Sequence, residues 1–167
     1  MAVSPLHLDA LRHRLHAALG PDLLAADYRS AWSEQNPTAG LCSVACEAAW
    51  FILGGLNSPW VPMVARDGEQ GTHWWLENRQ THERFDPTVE QYISQDRTPP
   101  YERGLGGQGA GFMGMRRDEG NAWGFERKPS ARAQRLLERM MGTTSVEQFR
   151  HQLSQTPVRT TARRPRP

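Results

Sequence analysis

Several residue types are scarce in this 167-residue chain, and each scarcity excludes a class of protein. The only cysteines are Cys42 and Cys46. Their spacing puts both on one helical turn, where a normal disulfide cannot form. A small secreted scaffold held by disulfides is therefore not expected. Lysine is limited to Lys128 among 20 basic residues, which we attribute to genome base composition.

Long apolar runs and a strong net charge are also missing. No apolar run reaches about 18 residues, so no transmembrane helix and no membrane partner are expected. Polar and charged side chains interrupt residues 6–19, unlike the apolar core of a signal peptide, so we expect a cytoplasmic protein with free thiols. A net charge of +2 gives no general attraction to nucleic acid.

One stretch, residues 36–46, organises the rest of the sequence. Asn36-Pro37 and Gly40 predict a loop, and residues 43–53 predict a helix of small and apolar side chains that ends at Gly54-Gly55. Cys42 then falls in the first helical turn. Unpaired N–H groups and the helix dipole favour a thiolate there. A cysteine on a buried helix more often only packs, and we interpret Cys46 in that way.

The flanking segments predict helices. Ser4-Pro5 and a leucine stripe indicate a packing helix that stops at Gly20-Pro21, and its histidines His7, His13 and His16 are expected to be solvated. Residues 22–33 predict a second, short helix. Further helices are predicted at 130–141 and 146–153.

The middle of the chain predicts a small antiparallel sheet. Residues 60–66, 72–77 and 82–85 have the composition of strands separated by turns. Asp86-Pro87-Thr88 then resembles a cap before a short helix that reaches Tyr92. These elements predict an α+β fold: a central helix packed on a small antiparallel sheet, with N- and C-terminal helices, in a single domain over residues 1–155.

Two segments stand apart by composition. Glycine is concentrated in residues 104–124, which predicts a flexible loop; the sharper alternative is a lid over the site. Residues 156–167 form a basic, proline-rich tail that we expect to be disordered, with a nucleic-acid or membrane-surface contact as the weaker alternative.

Two downstream residues complete a chemical pattern with Cys42. His73 lies on the second predicted strand and Asp86 follows the third. An imidazole takes a thiol proton and later gives one to the leaving group, while a carboxylate orients the ring. This order, a helix-borne cysteine before a strand-borne histidine and an acid, is that of papain-like and transglutaminase-like enzymes. The hairpin predicts that His73 and Asp86 are cross-strand neighbours.

Other residues extend this hypothesis. The backbone N–H of Cys42 is one candidate oxyanion donor, and the side chain of Gln35 or Asn36 is the second, although Asn36 could instead serve only the turn. Trp74 and Trp75 are candidates for the substrate cleft and for shielding the histidine–acid pair. A zinc site built from both cysteines, His73 and His82 fits no common spacing, so no metal or cofactor is expected.

A set of motifs in residues 28–92 carries a resemblance to a known family. The motifs are Trp32, Asn36-Pro37-x-x-Gly40-x-Cys42, Gly54-Gly55, His73 with two following aromatics, and Phe85-Asp86-x-Thr88-x-x-Gln91-Tyr92. This pattern resembles the YunG-like family of small bacterial and phage proteins, whose core is similar to papain-like cysteine hydrolases. The resemblance implies Cys42, His73 and Asp86 in the triad positions. Leu41 departs from the glutamine common in that family, and residues 104–124 look like an insertion.

The function predicted from these features is acyl transfer by a cysteine nucleophile. Cys42 attacks an amide or ester carbonyl and forms a thioester, which water or an amine resolves. Hydrolysis of a peptide or amide, including one in a protein, is favoured over cross-linking because water is always present. The alternative, from another class, is an inactive papain-like fold that acts as a protein-binding or host-interaction module.

Overall fold

The computed structural model describes residues 5–68, 71–106 and 128–155. The helices are α1 (Pro5–Ala18), α2 (Cys42–Ile52), α3 (Glu90–Ile93), α4 (Ala131–Met141) and α5 (Val146–Gln155). The strands are β1 (Trp60–Asp67), β2 (Gly71–Asn78), β3 (Arg84–Phe85) and β4 (Leu105–Gly106). Short 3-10 helices lie at Pro21–Leu23, Ala26–Ala31, Gly55–Asn57 and Tyr101–Arg103.

The strands form one antiparallel sheet in the order β3-β2-β1-β4. β1 and β2 pair along their whole length, from Trp60 opposite Asn78 to Asp67 opposite Gly71. β3 is much shorter and pairs only with Leu76 and Glu77 of β2. Because β3 stops there, the first half of β2 has no strand partner on that side among the residues that the structure describes, and we call this its open edge. The α+β class predicted from the sequence is confirmed.

The two faces of the sheet differ in character because side chains alternate along a strand. The apolar face carries Trp60, Trp74, Leu76 and Phe85, which pack into one core with α1, α2, α4 and α5. The opposite face, which we call the polar face, carries His73, Trp75 and Glu77 of β2. The main core is therefore on one side of the sheet, and His73 is on the other.

The loop before α2 is shaped by Gly40. Its φ is +74°, a left-handed conformation that favours glycine. A Cβ at this position would lie 2.9 Å from Leu24 Cδ2 and 3.0 Å from Tyr28 Cβ, so the chain has no room for a side chain. Gly40 thus allows the loop to pack closely and start α2 at Cys42. The predicted helix and its end at Gly54-Gly55 are confirmed.

The helix predicted over residues 22–33 is wrong. Two 3-10 helices occupy this segment, and Leu24 between them has an extended backbone with φ −67° and ψ 141°. The guanidinium of Arg132 donates to the Leu23 carbonyl at 3.1 Å. That carbonyl would otherwise accept from Asp27 in a continuous helix, so a contact with α4 replaces the local bond. The predicted helices α4 and α5 are confirmed, with Ser130 as the N-cap of α4.

The third strand is shorter than predicted, since His82 has a φ of 58° and belongs to the preceding turn. Two elements were not predicted from the sequence: the 3-10 helix at Tyr101–Arg103, and β4, which adds a strand beside β1. Most of the glycine-rich segment, residues 107–127, lies outside the described residues, as does the tail at 156–167. The loop, lid and tail predictions therefore stay predictions.

Candidate functional site

The polar face brings His73 and Asp86 together. The Nε2–H of His73 donates to Asp86 Oδ2 at 2.6 Å, and the two side chains are 1% and 3% exposed. Extending the β2–β3 register by one residue puts Asp86 opposite Trp75, so His73 is its diagonal neighbour on the same face. The hairpin argument therefore found the right pair, although the two residues are not directly opposite.

Asp86 is held from several directions. Its Oδ1 accepts the backbone N–H of Thr88 at 2.9 Å, which closes a tight turn. The hydroxyl of Tyr101 donates to Oδ2 at 2.8 Å, so this oxygen serves both the histidine and a tyrosine. A buried carboxylate is costly unless such donors surround it. These bonds keep Asp86 oriented towards the ring.

Helix α1 fixes the backbone beside Asp86. Arg12 Nε donates to the Asp86 carbonyl at 3.3 Å, and His16 Nε2 donates to the Pro87 carbonyl at 2.7 Å. A hydrogen bond to Glu90 and the Pro87 carbonyl raise the pKa of His16, although burial opposes them. The expectation that His16 is merely solvated is therefore wrong, because this side chain bridges α1 to the acid-bearing turn.

Cys42 is the first residue of α2 and lies at the open edge of β2. Its thiol donates to the Thr72 carbonyl at 3.5 Å. Asn78 donates its N–H to Glu83 on the β3 side, and backbone groups six residues apart on a strand point the same way. The Thr72 carbonyl therefore points to the edge that β3 leaves unpaired. The thiol therefore meets the sheet at this edge, at the residue before His73, and Cys42 also belongs to the apolar core.

The thiol and the imidazole influence each other. Burial lowers the pKa of His73, but the Asp86 hydrogen bond and the Cys42 side chain more than offset it, raising the pKa to about 9. Cys42 also helps to raise the pKa of Tyr92, which lies edge-on to the His73 ring at 4.7 Å between centroids. Cys42, His73 and Asp86 thus lie in one electrostatic neighbourhood, as the sequence predicted.

The start of α2 offers unpaired donors beside the sulfur. Within the part of the chain that the structure describes, no acceptor pairs with the backbone N–H groups of Cys42, Ser43 or Val44. Leu41 precedes the helix without a side-chain cap. Such free N–H groups, together with the helix dipole, stabilise negative charge at this end of a helix.

The two side chains predicted as oxyanion donors, Gln35 and Asn36, lie in different environments. Gln35 is exposed. Asn36 is buried, and its Nδ2 donates to the backbone carbonyl of Gln91 at 3.4 Å. It also shapes the turn, since its N–H is 3.1 Å from the Ser33 hydroxyl. The oxyanion role of Gln35 and Asn36 stays a prediction, while the role of Asn36 in the turn is now clear.

The tryptophans pack on opposite faces of β2. Trp74 lies in the core on the apolar face, and Trp75 stacks on His73 at 5.9 Å with an interplanar angle of 24°. Both are buried, at 3% and 0% exposed, and their role in a substrate cleft stays a prediction. Trp75 shields the His73–Asp86 pair, with the ring of Tyr101 edge-on to it.

Cys46 lies one turn further along α2 and is fully buried. Burial, and then the charges of Asp86 and Cys42, raise its pKa well above the usual value, so its thiol stays protonated. No three histidine, cysteine or acidic side chains among the described residues are arranged to hold a metal ion, and His82, a candidate zinc ligand, is exposed. No helix in the described ranges is long and apolar enough to cross a membrane.

Sequence reasoning missed the residues that support the triad. Tyr101 and the pair Arg12 and His16 come from separate elements, and no spacing pattern links them to Asp86. Gln91 is different, because it stands in the Thr88-x-x-Gln91 motif, one turn after the acid. Its Nε2 lies 3.2 Å from His73 Nδ1, the ring nitrogen that Asp86 does not use. The polar residue at the end of this motif could have been predicted from the sequence to contact His73 or Asp86.

Comparison with known proteins gives no relative for this arrangement: no family model, no curated protein and no solved structure matches the chain. The YunG-like resemblance therefore stays an expectation. Any functional conclusion has to come from the geometry of Cys42, His73 and Asp86.

Proposed function

We propose that this protein is a cysteine hydrolase in which Cys42, His73 and Asp86 form the catalytic triad. The observation that carries the proposal is the short bond from His73 Nε2 to the buried Asp86, together with the Cys42 side chain, which acts on the same ring and raises its pKa. A helix-borne cysteine, an imidazole and an orienting carboxylate are the parts that nucleophilic acyl transfer requires.

The first half of the reaction follows from this arrangement. The thiol proton passes to His73 Nδ1 as Sγ bonds to the carbonyl carbon of the substrate, and the carbonyl π electrons move to oxygen. The free N–H groups at the start of α2 stabilise this oxyanion. The tetrahedral species then collapses, His73 donates its proton to the departing amine or alcohol, and a thioester to Cys42 remains.

The second half regenerates the thiol. Water attacks the thioester as His73 accepts its proton, and the carboxylic acid leaves as the ring returns that proton to sulfur. Asp86 stabilises the imidazolium in both halves without taking up a proton itself. An amine in place of water would give transamidation by the same steps, so hydrolysis is favoured only by the abundance of water.

The proposed substrate is a peptide or amide, including an amide in a protein. A central helix that begins at a cysteine and packs on an antiparallel sheet is consistent with a papain-like or transglutaminase-like core, and the YunG-like motifs support the same interpretation. The burial of Cys42, which is 6% exposed and belongs to the core, favours the binding-module alternative. The buried pair of His73 and Asp86 favours the enzyme, because packing alone does not require a buried charge pair.

The test is formation of an acyl-enzyme on Cys42. The protein is incubated with an activated ester that reports its leaving group, and the covalent adduct is found by intact and peptide mass spectrometry. We expect a burst of leaving group and an adduct on Cys42. Cys42→Ser should remove the thioester, while the matched variant Cys46→Ala should keep it because Cys46 lies in the core.

Two results would overturn the proposal. One is an adduct distributed equally over both cysteines; the other is labelling that requires unfolding. Either would mean that the site does not activate Cys42, and the binding-module interpretation would replace the enzyme.

A further inference from the structure

The Gln91 side chain completes a closed ring of hydrogen bonds around His73. Its Nε2 lies 3.2 Å from His73 Nδ1 and 3.0 Å from Thr88 Oγ1. The Thr88 hydroxyl is 3.4 Å from Asp86 Oδ1, and Asp86 Oδ2 accepts from His73 Nε2 at 2.6 Å. The imidazole is therefore contacted at both nitrogens by groups that are themselves connected.

The ionised Asp86 sets the direction of every bond in this ring. A carboxylate only accepts, so the Thr88 hydroxyl gives its proton to Asp86 and accepts one N–H of Gln91. The second N–H of the same amide then points at His73 Nδ1, which presents its lone pair in the neutral ring, the form populated above the pKa of about 9. Nε2, which faces the other oxygen of Asp86, carries the ring proton.

This arrangement suits the reaction. The triad needs Nδ1 unprotonated, because Nδ1 is the nitrogen that receives the proton from the Cys42 thiol. We propose, on the basis of the function proposed above, that Gln91 is a positioning residue that holds neutral His73 in the Nε2–H tautomer, with its N–H on the Nδ1 lone pair until the thiol proton displaces it. A donor to Nδ1 favours the neutral ring, so Gln91 acts against the carboxylate that favours the charged one.

Gln91 is anchored at both ends, unlike a surface glutamine. Its backbone carbonyl accepts from Asn36 and its side chain meets Thr88, so the amide is fixed relative to the ring. Gln95, four residues later, is exposed, and its side chain accepts a hydrogen bond from Arg97. Gln95 therefore provides a matched control for a loss of amide that does not touch His73.

Several other groups act on the ring and must be considered in any titration. The titratable and charged groups packed around it are Cys42 on α2, Asp86 before α3, Tyr92 on α3, Tyr101 on its 3-10 helix and Arg84 on β3, with Asp67 and Arg97 behind Tyr92. Burial raises the pKa of both tyrosines, and so do Asp67 beside Tyr92 and Asp86 beside Tyr101, so these phenols stay neutral.

The experiment records long-range proton–nitrogen spectra of the histidine rings across the titration of His73, which a His73→Gln spectrum identifies. In the unmodified protein the neutral ring should be the Nε2–H tautomer. Gln91→Met should raise the pKa of His73 by up to about one unit, since a net hydrogen bond is worth about 0.5–1.5 kcal/mol. Gln91→Glu should raise it further, because a carboxylate accepts from Nδ1–H. Gln95→Met should change nothing.

Two results would overturn the inference: a neutral ring in the Nδ1–H tautomer, or Gln91 variants that titrate like Gln95→Met. If Gln91→Met does not fold, Gln91→Glu decides alone by the same shift. This experiment measures the pKa and the tautomer of the His73 ring and does not depend on turnover. If no acyl-enzyme forms, the titration result for Gln91 still holds. If the Gln91 variants do not shift the pKa of His73, the acyl-enzyme test still decides whether Cys42 is the nucleophile.

Discussion

The two faces of the sheet come from the same strands but do different work. On the apolar face, alternate residues of β2 such as Trp74 and Leu76 pack against α2 and the terminal helices. On the polar face, the residues between them bring His73 next to Asp86 and under Trp75. Neighbouring positions on β2 thus lie on opposite faces, and Cys42, which belongs to the apolar core, contacts the Thr72 carbonyl at the edge between them.

This division suggests that the faces can be perturbed separately. Substitutions on the apolar face should lower the free energy of unfolding and leave the reactivity of the folded thiol unchanged. Substitutions on the polar face should change the ionisation of His73. Each prediction below tests one side of that separation, beginning with the largest expected effect.

Leu76→Ala should have the largest effect on stability. Leu76 is fully buried on the apolar face, and truncating such a leucine costs about 2–5 kcal/mol through lost contacts and a residual cavity. Denaturant unfolding measures the loss. The alkylation rate of Cys42 per folded molecule should stay the same; a large fall in that rate would show that the two faces are coupled.

The second prediction concerns pH. The pKa of His73 rises from 6.5 to about 9 in the folded protein, so its contribution to stability is complete below pH 6.5 and is lost as the pH rises through 9. The free energy of unfolding should fall by up to about 3 kcal/mol over that interval. Asp86→Asn should flatten the profile, whereas Asp27→Asn, at an exposed acid, should not. A profile unaffected by Asp86→Asn would contradict the charged pair.

Gly104→Ala should disturb the cover over the pair. A Cβ on Gly104 would lie 2.4 Å from Trp75 Cζ2 and 3.1 Å from the Tyr101 carbonyl, so the indole stacked on His73 has to shift. Overpacking of this kind costs about 1–3 kcal/mol. Thermal unfolding and tryptophan fluorescence would measure the change. If neither the tryptophan emission nor the unfolding temperature changed, the packing around Trp75 would be looser than described.

Tyr101→Phe should give the smallest effect. It removes one donor to Asp86 Oδ2, at a cost of about 1 kcal/mol in stability. The freed oxygen then serves only the imidazolium, so the pKa of His73 should rise. Nuclear magnetic resonance titration checks this, with the half-buried Tyr28→Phe as the control. A fall in the pKa would show that the hydroxyl supports the ring in another way.

Local patterns predicted most of the fold and the proximity of His73 and Asp86. The glycine-terminated helix, the β1–β2 hairpin and the capped α4 follow from turn residues and periodicity, which act within a few positions. His73 and Asp86 were paired correctly because a hairpin brings nearby residues together. The segment at 22–33 was missed because Arg132, more than 100 residues away, takes the Leu23 carbonyl.

The residues that hold Asp86 in place could not be predicted from local patterns. Arg12 and Tyr101 reach Asp86 from opposite ends of the domain, and their contacts depend on how α1 and the segment after α3 dock. The sequence left open whether Trp74 or Trp75 shields the histidine, because alternation decides which indole meets the ring and the faces of the sheet were not assigned from the sequence. Long-range packing decides these details.

The most direct measurement is the rate at which iodoacetamide alkylates Cys42 in the native protein, followed by peptide mass spectrometry. His73→Gln is the decisive variant, since its amide can still donate to Asp86 and keep that acid partnered. We expect Cys42 to react much faster than Cys46, and His73→Gln to remove most of the advantage. Equal rates at the two cysteines, or a Cys42 rate unaffected by His73→Gln, would contradict activation of the thiol by the imidazole.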